Sequence, residues 1–163
     1  MELSIRQAEP QDSSALKQII DLSFPRFFRF FALHSVSSEE GKLMVSEHDG
    51  SVVGFAKLTD FYVAQGKYGC ILWLAVHPNY RREGIASALV KAGVEELKRS
   101  GAGAVFASAQ RTNKGSLATF NREGFQRVGF VGLWRIFSWR IFHFYRSIWF
   151  APGEIVLMQN LVL

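Results

Sequence analysis

The sequence predicts an α+β fold built on a mixed central sheet, and three observations carry that prediction. Apolar runs of strand length alternate with segments whose apolar residues recur at helical spacing. Asp49-Gly50 stands between two of the runs and marks an antiparallel hairpin. Farther on, the run Cys70-Ile71-Leu72-Trp73-Leu74-Ala75-Val76 passes through a turn into a helical pattern and on to another strand, which implies one parallel pair with a right-handed crossover. The order is β-α-α-β-β-β-α-β-α-β-β, about seven strands flanked by about four helices.

Each element has its own signal. Residues 3–7 alternate and form the first strand. After Pro10, Asp12 or Ser13 can cap a helix through Leu16, Ile19, Ile20 and Leu22, which Pro25 ends. Residues 26–34 are short, aromatic and basic and make a second helix. Strands follow at 42–47 and 51–62, with Gly54 a bulge or a point of close packing, and then at 68–76. The main helix covers 84–99 and is stopped by Gly101 and Gly103. A fifth strand covers 104–110, and Asn113 caps a helix that ends at Glu123-Gly124. A sixth strand at 125–131 and a last one at 154–162, entered through Pro152-Gly153, complete the chain. The sequence has no repeat and no low-complexity linker.

At 163 residues a single domain, 1–163, is expected. A chain of this size buries roughly two thirds of its unfolded surface. The net charge of +5 suits an anionic small molecule, a membrane surface or nucleic acid, and charge alone does not choose among them. The one cysteine, Cys70, excludes an internal disulfide. It lies in an apolar strand and reads as a buried, inert thiol, consistent with a reducing cytoplasm. Residues 1–6 lack an apolar signal region, and no run reaches about 18 uncharged apolar residues, so no spanning helix is expected.

Arg81-Arg82-Glu83-Gly84-Ile85-Ala86 joins the fourth strand to the main helix. A helix that starts in such a turn aims unpaired N–H groups and the positive end of its dipole at one spot, which suits phosphate. Gly84 and Ala86 let a ligand come close to the main chain. The spacing Arg-x-x-Gly-x-Ala resembles the pyrophosphate loop of the GNAT superfamily of acyl-CoA-dependent N-acyltransferases. Downstream, Asn113-Lys114-Gly115-Ser116-Leu117-Ala118-Thr119-Phe120-Asn121-Arg122-Glu123-Gly124-Phe125 is similar to that family's Asn-x-x-Ala-x-x-x-Tyr-x-x-x-Gly-Phe segment. Together the likeness covers residues 3–130, with its motifs inside 71–125.

The resemblance implies direct transfer of an acetyl group from acetyl-CoA to a primary amine, with no metal. It assigns main-chain groups of Leu74, Ala75 and Val76 to the pantetheine arm. It assigns the amides of Arg82, Glu83, Gly84, Ile85, Ala86 and Ser87 to the pyrophosphate, with added charge from Arg81 and Arg82. Asn113 reaches the pantetheine region as well as capping its helix, and Phe120 completes the coenzyme-binding set. Arg122 either approaches the nucleotide phosphates or belongs to a solvated helix face. Two positions depart from the family pattern. Phe120 stands where many relatives place a tyrosine that protonates the leaving thiolate, and Ser108 stands where some carry a glutamate base. Phenylalanine cannot donate a proton and serine is a poor base. The catalytic residues are therefore left open, with Tyr145 and Ser108 as candidates. Tyr62, Tyr68, Tyr80, His34, His77 and His143 are further titratable groups. The alternative is a coenzyme-A-binding module with little or no transferase activity.

Residues 133–150 hold Trp134, Trp139, Trp149, Arg135, Arg140 and Arg146 among phenylalanines and isoleucines. Helix and hairpin both fit, and Trp134, Phe137, Ile141, Tyr145 and Ile148 follow helical spacing. Three uses compete: a packing element or homodimer contact, an aromatic lid over an apolar amine acceptor, and contact with an anionic membrane surface. The last would make a cytoplasmic protein membrane-peripheral. Residues 26–31 repeat this chemistry, and the resemblance sets both clusters beside the acceptor cleft. Nucleic acid is not expected as a partner, because the spacing matches no RNA-binding signature.

Overall fold

The computed structural model describes residues 3–161. Its strands are β1 (Leu3–Gln7), β2 (Lys42–His48), β3 (Ser51–Val63), β4 (Gly66–Val76), β5 (Ala104–Gln110), β6 (Gln126–Arg127) and β7 (Glu154–Asn160). Its helices are α1 (Ser13–Ser23), α2 (Arg26–Ser37), α3 (Ile85–Arg99), α4 (Lys114–Arg122), α5 (Phe130–Phe137) and α6 (Ile141–Ser147). Short 3-10 turns stand at Pro10–Asp12, Pro78–Tyr80 and Ser138–Arg140. One mixed sheet runs in the order β1-β2-β3-β4-β5-β7-β6. β4 and β5 are its expected parallel pair, in register from Gly69 opposite Val105 to Ile71 opposite Ala107.

The Asp49-Gly50 turn has positive φ at both residues (48° and 80°), the twist that two-residue hairpins prefer. Gly54 answers to both of its expected roles. The β2–β3 register shifts between Ser46 and Glu47, beside Gly54. A Cβ on Gly54 would stand 2.7 Å from Ser46 Oγ and 3.0 Å from the carbonyl oxygen of Ala75.

The described residues group into two compact units, one holding the chain up to Leu58 with Trp73–Gly93, the other Thr59–Leu72 and the chain from Val94 onward. In the first, Leu16, Ile19 and Ile20 share one face of α1 and are buried with Ala32, Val45, Phe55 and Ala75. In the second, Leu133, Phe137, Ile141, Phe144 and Ile148 cover the sheet residues Phe61, Cys70, Phe106 and Val156. Cys70 is free and buried, and burial pushes its thiol well above its ordinary value, as an inert thiol requires.

Three expectations need correction. The sixth strand shrinks to Gln126–Arg127, because the chain turns helical at Phe130. Gly129 is the extended cap, and its carbonyl accepts from the Leu133 amide at 3.0 Å. Helix at this point puts Leu133 and Phe137 on one buried face, and that burial overrides the strand preference of Phe130-Val131. Second, 133–150 is helical but broken. Ser138 takes φ 52° and ends α5, so the spacing restarts; Phe144 is buried where Tyr145 is half-buried, and Trp134 is exposed. The break adds to the about four helices expected, and α1 to α6 stand among the described residues. Third, β7 stops at Asn160; Val162, the expected end, lies outside the described residues.

One ion-pair cluster fixes the start of the chain. Arg6 Nη1 and Nη2 donate to Asp12 Oδ2 and Oδ1 at 2.8 and 3.0 Å, and its Nε donates to Glu47 at 2.9 Å. The hydrogen-bonded guanidinium holds the buried Asp12 carboxyl below the usual carboxylate range. The folded chain therefore releases this proton at lower pH than the unfolded chain. The resulting stability is full above the ordinary value of about 3.9 and is lost as pH falls through the folded value. Asp12→Asn is expected to narrow the difference between the urea midpoints at neutral pH and near pH 3, and an unchanged difference would contradict this account. Arg6→Ala leaves the carboxylate without its main partner and is expected to cost about 1–3 kcal/mol at neutral pH.

Candidate active site

β4 ends at Val76, and the His77 amide donates to the Val53 carbonyl at 2.8 Å. Pro78–Tyr80 then makes a single 3-10 turn, in which His77 Nδ1 accepts from the Asn79 amide at 3.2 Å. Arg82 and Gly84 follow with φ 67° and 79°, both left-handed. α3 begins at Ile85 and is anchored by the buried Ile85, Leu89 and Val90. Its first backbone bond to the turn runs from the Ala88 amide to the Gly84 carbonyl at 3.0 Å.

The consequence is a set of open donors around the start of α3. Among the described residues, the amides of Arg82, Gly84, Ile85, Ala86 and Ser87 make no hydrogen bond within the protein, while the Arg81-Arg82 turn (φ −73° and 67°) folds the Glu83 amide back on itself. Left-handed residues in such a turn curl successive N–H groups into a concavity that binds anions, and the start of α3 adds its dipole. The Oγ of Ser87 is buried and also lacks a partner. A Cβ on Gly84 would meet nothing within 4 Å, so the turn is open beside Gly84. The residues therefore fit a diphosphate on geometry and on charge.

Arg81 and Arg82 divide the work expected of them together. Arg82 is exposed at the turn. Arg81 reaches back, with Nε donating to the Val76 carbonyl at 3.2 Å and Nη2 to Ser23 Oγ at 3.4 Å. It ties the turn to the strand end and to the last residue of α1, a bracing role that no sequence signal distinguishes from phosphate binding. Leu74 is half-buried and Ala75 and Val76 are buried, beyond the stretch of β4 paired with β5. These three residues and 81–87 all belong to the first unit.

Asn113, Phe120, Ser108 and Tyr145 belong to the second. Asn113 Oδ1 accepts from the Ser116 amide at 3.1 Å, the expected helix cap. Phe120 is buried edge-on against Phe125, with ring centroids 5.1 Å apart. Arg122 is exposed. Ser108 stands opposite Val156 in the β5–β7 pair. Tyr145 packs on Phe150 at 4.8 Å, and burial pushes its phenol above the ordinary value, which keeps it protonated. Two concavities of about 450 and 310 Å³ lie elsewhere, the first between α1, α2 and β1 around Lys57, the second between α4, β6 and β7.

The model of the Acetyltransferase (GNAT) family matches residues 6–125. A curated relative, the N-alpha-acetyltransferase MAK3 of Arabidopsis thaliana, is 39% identical over 83 residues, 50% of this chain and 43% of that protein. The chain therefore spans less than half the length of that relative. The fold is similar to that of the ribosomal-protein-S18-alanine N-acetyltransferase of Escherichia coli, with TM-score 0.69, 18% identity and coverage of 99% and 96% of the two chains. It is also similar to a chain of the NatC complex bound to Gag peptide and CoA, with TM-score 0.69, 19% identity and coverage of 99% and 100%. Motif, fold and family match over three quarters of the length agree, and the chain belongs to the GNAT family of acetyltransferases.

Proposed function

We propose that this chain, as one domain over 1–163, transfers an acetyl group from acetyl-CoA directly to a primary amine in the cytoplasm. The unpaired amides within Arg82–Ser87 carry the reading, since N–H groups left open at the start of a helix after β4 suit a diphosphate. Acetyl-CoA supplies an activated thioester when bound. The amides and Arg82 hold the diphosphate, Arg81 braces the strand end, and the main chain of Leu74, Ala75 and Val76 orients the pantetheine arm alongside Asn113 and Phe120. Orientation of this kind removes much of the entropic barrier to acyl transfer. The acceptor amine must lose a proton and the departing thiolate must be stabilised. Tyr145 is protonated and suits the acid role, while Ser108 stands on β5 at the position where some relatives carry a base.

The acceptor panel begins with peptides bearing free α-amino groups, because the relative aligned at 39% identity is an N-alpha-acetyltransferase. Apolar and aromatic primary amines follow. A second reading, a coenzyme-binding module, is favoured by one observation: Phe120 is a core residue without a hydroxyl. Thiol release from acetyl-CoA, measured with and without each amine pool, separates the two. Amine-dependent release with an acetylated product is expected. Coenzyme A binding without release for any amine would establish the module instead, and absence of coenzyme A binding by calorimetry would sink both.

A further inference from the structure

The segment α5–α6 covers the sheet of the second unit with Leu133, Phe137, Ile141, Phe144 and Ile148. Phe137 and Phe144 stack at 4.5 Å, so both helices turn their inner sides to one core. Their outer sides are also apolar. Phe130 is 57% exposed, Val131 65%, Trp134 45%, Trp139 66% and Phe142 75%. A protein surrounded only by water rarely leaves so many large apolar groups together on its surface. Exposed Arg135, Arg140 and Arg146 stand among them, and the Arg140 guanidinium lies 4.6 Å from the Trp139 ring centroid. No aspartate or glutamate occurs between Glu123 and Glu154.

We propose that this face docks on an anionic lipid bilayer surface. The occupant must be anionic, because every charged side chain on the segment is basic. It must also accept tryptophan and phenylalanine below a charged layer, and a bilayer with acidic headgroups offers both at the depths these side chains prefer. A second copy of the chain fits worse. A two-fold contact would set the same arginines against each other with no carboxylate to pair them. Among the described residues no helix is long and apolar enough to cross a membrane, so the segment lies on the surface. This inference does not depend on acyl transfer.

The test is cosedimentation of the full chain with vesicles of phosphatidylcholine alone and of phosphatidylcholine with about one-third phosphatidylglycerol. Binding to the anionic vesicles is expected, with much less to the neutral ones. It should weaken as salt rises from about 0.1 to about 1 M and the Debye length falls from about 10 to about 3 Å. Trp139→Ser/Phe142→Ser is expected to lower the partition coefficient about 100-fold, roughly tenfold per aromatic side chain withdrawn from the bilayer. Its melting temperature, measured in parallel, should match that of the unsubstituted chain. Arg135→Gln/Arg140→Gln should lose the preference for anionic vesicles. Absence of binding to the anionic vesicles overturns the proposal. So does undiminished binding by folded Trp139→Ser/Phe142→Ser, and so does a light-scattering dimer that those substitutions dissolve while vesicles stay unbound.

Discussion

Gly84→Val is expected to weaken coenzyme A binding by at least about 100-fold, or about 2.7 kcal/mol, while the chain still folds. Gly84 holds φ 79° between the left-handed Arg82 and the first turn of α3. The Cβ that valine adds has no protein atom within 4 Å. The folding cost is thus backbone strain, about 1–2 kcal/mol for an L-residue in this region and more for a β-branched one. At roughly 2–4 °C per kcal/mol for a chain of this length, the melting temperature drops by several degrees. Binding suffers more, by either of two routes. If the turn keeps its shape, the isopropyl group crowds a ligand's close approach to the main chain at Gly84. If the turn relaxes, Arg82–Ser87 no longer aim at one point. Gly84→Ala should fall between the two proteins. Calorimetry with coenzyme A and thermal melts separate binding from folding, and valine with undiminished affinity would contradict the placement of the diphosphate.

The glycine turn was readable from sequence because local rules govern it. A strand run, a break at His77-Pro78 and helical spacing from Ile85 leave few ways to connect the elements. The Asp49-Gly50 hairpin was readable for the same reason. Residues 125–150 were not, because two patterns compete there. Phe125–Val131 has strand composition, and 134–148 has one continuous helical period. The outcome depends on which side chains the sheet buries, a property of Phe61, Phe106 and Val156 far away in sequence. A single left-handed residue, Ser138, then shifts the period, and serine carries no signal for that conformation. Arg82 is equally unannounced. Its positive φ helps aim the amides of the turn, yet arginine carries no signal for that conformation. The division of labour between Arg81 and Arg82 follows from the reach of Arg81 to Val76 and Ser23, which no spacing rule encodes.

Phe106→Ala is expected to destabilise the fold by about 3–5 kcal/mol, lowering the melting temperature by about 6–20 °C. Phe106 has no exposed surface and lies at the centre of β5. It stands opposite Cys70 on one side and Met158 on the other, so β4 and β7 both lose packing when it is cut back. Its ring meets Phe61, Tyr68, Phe137 and Phe144 at 6.4, 5.9, 5.8 and 4.7 Å. No neighbour can move far enough to fill the space, because the same rings hold α5 and α6 on the sheet. Phe142 is the matched comparison, a phenylalanine on α6 that is 75% exposed. Phe142→Ala should change stability by less than about 0.5 kcal/mol, as surface substitutions do. Urea unfolding of the two variants distinguishes the inner from the outer side of α6. A large loss at Phe142 would mean that this ring is packed in solution, and a small loss at Phe106 would mean that the aromatic helices are not seated on the sheet.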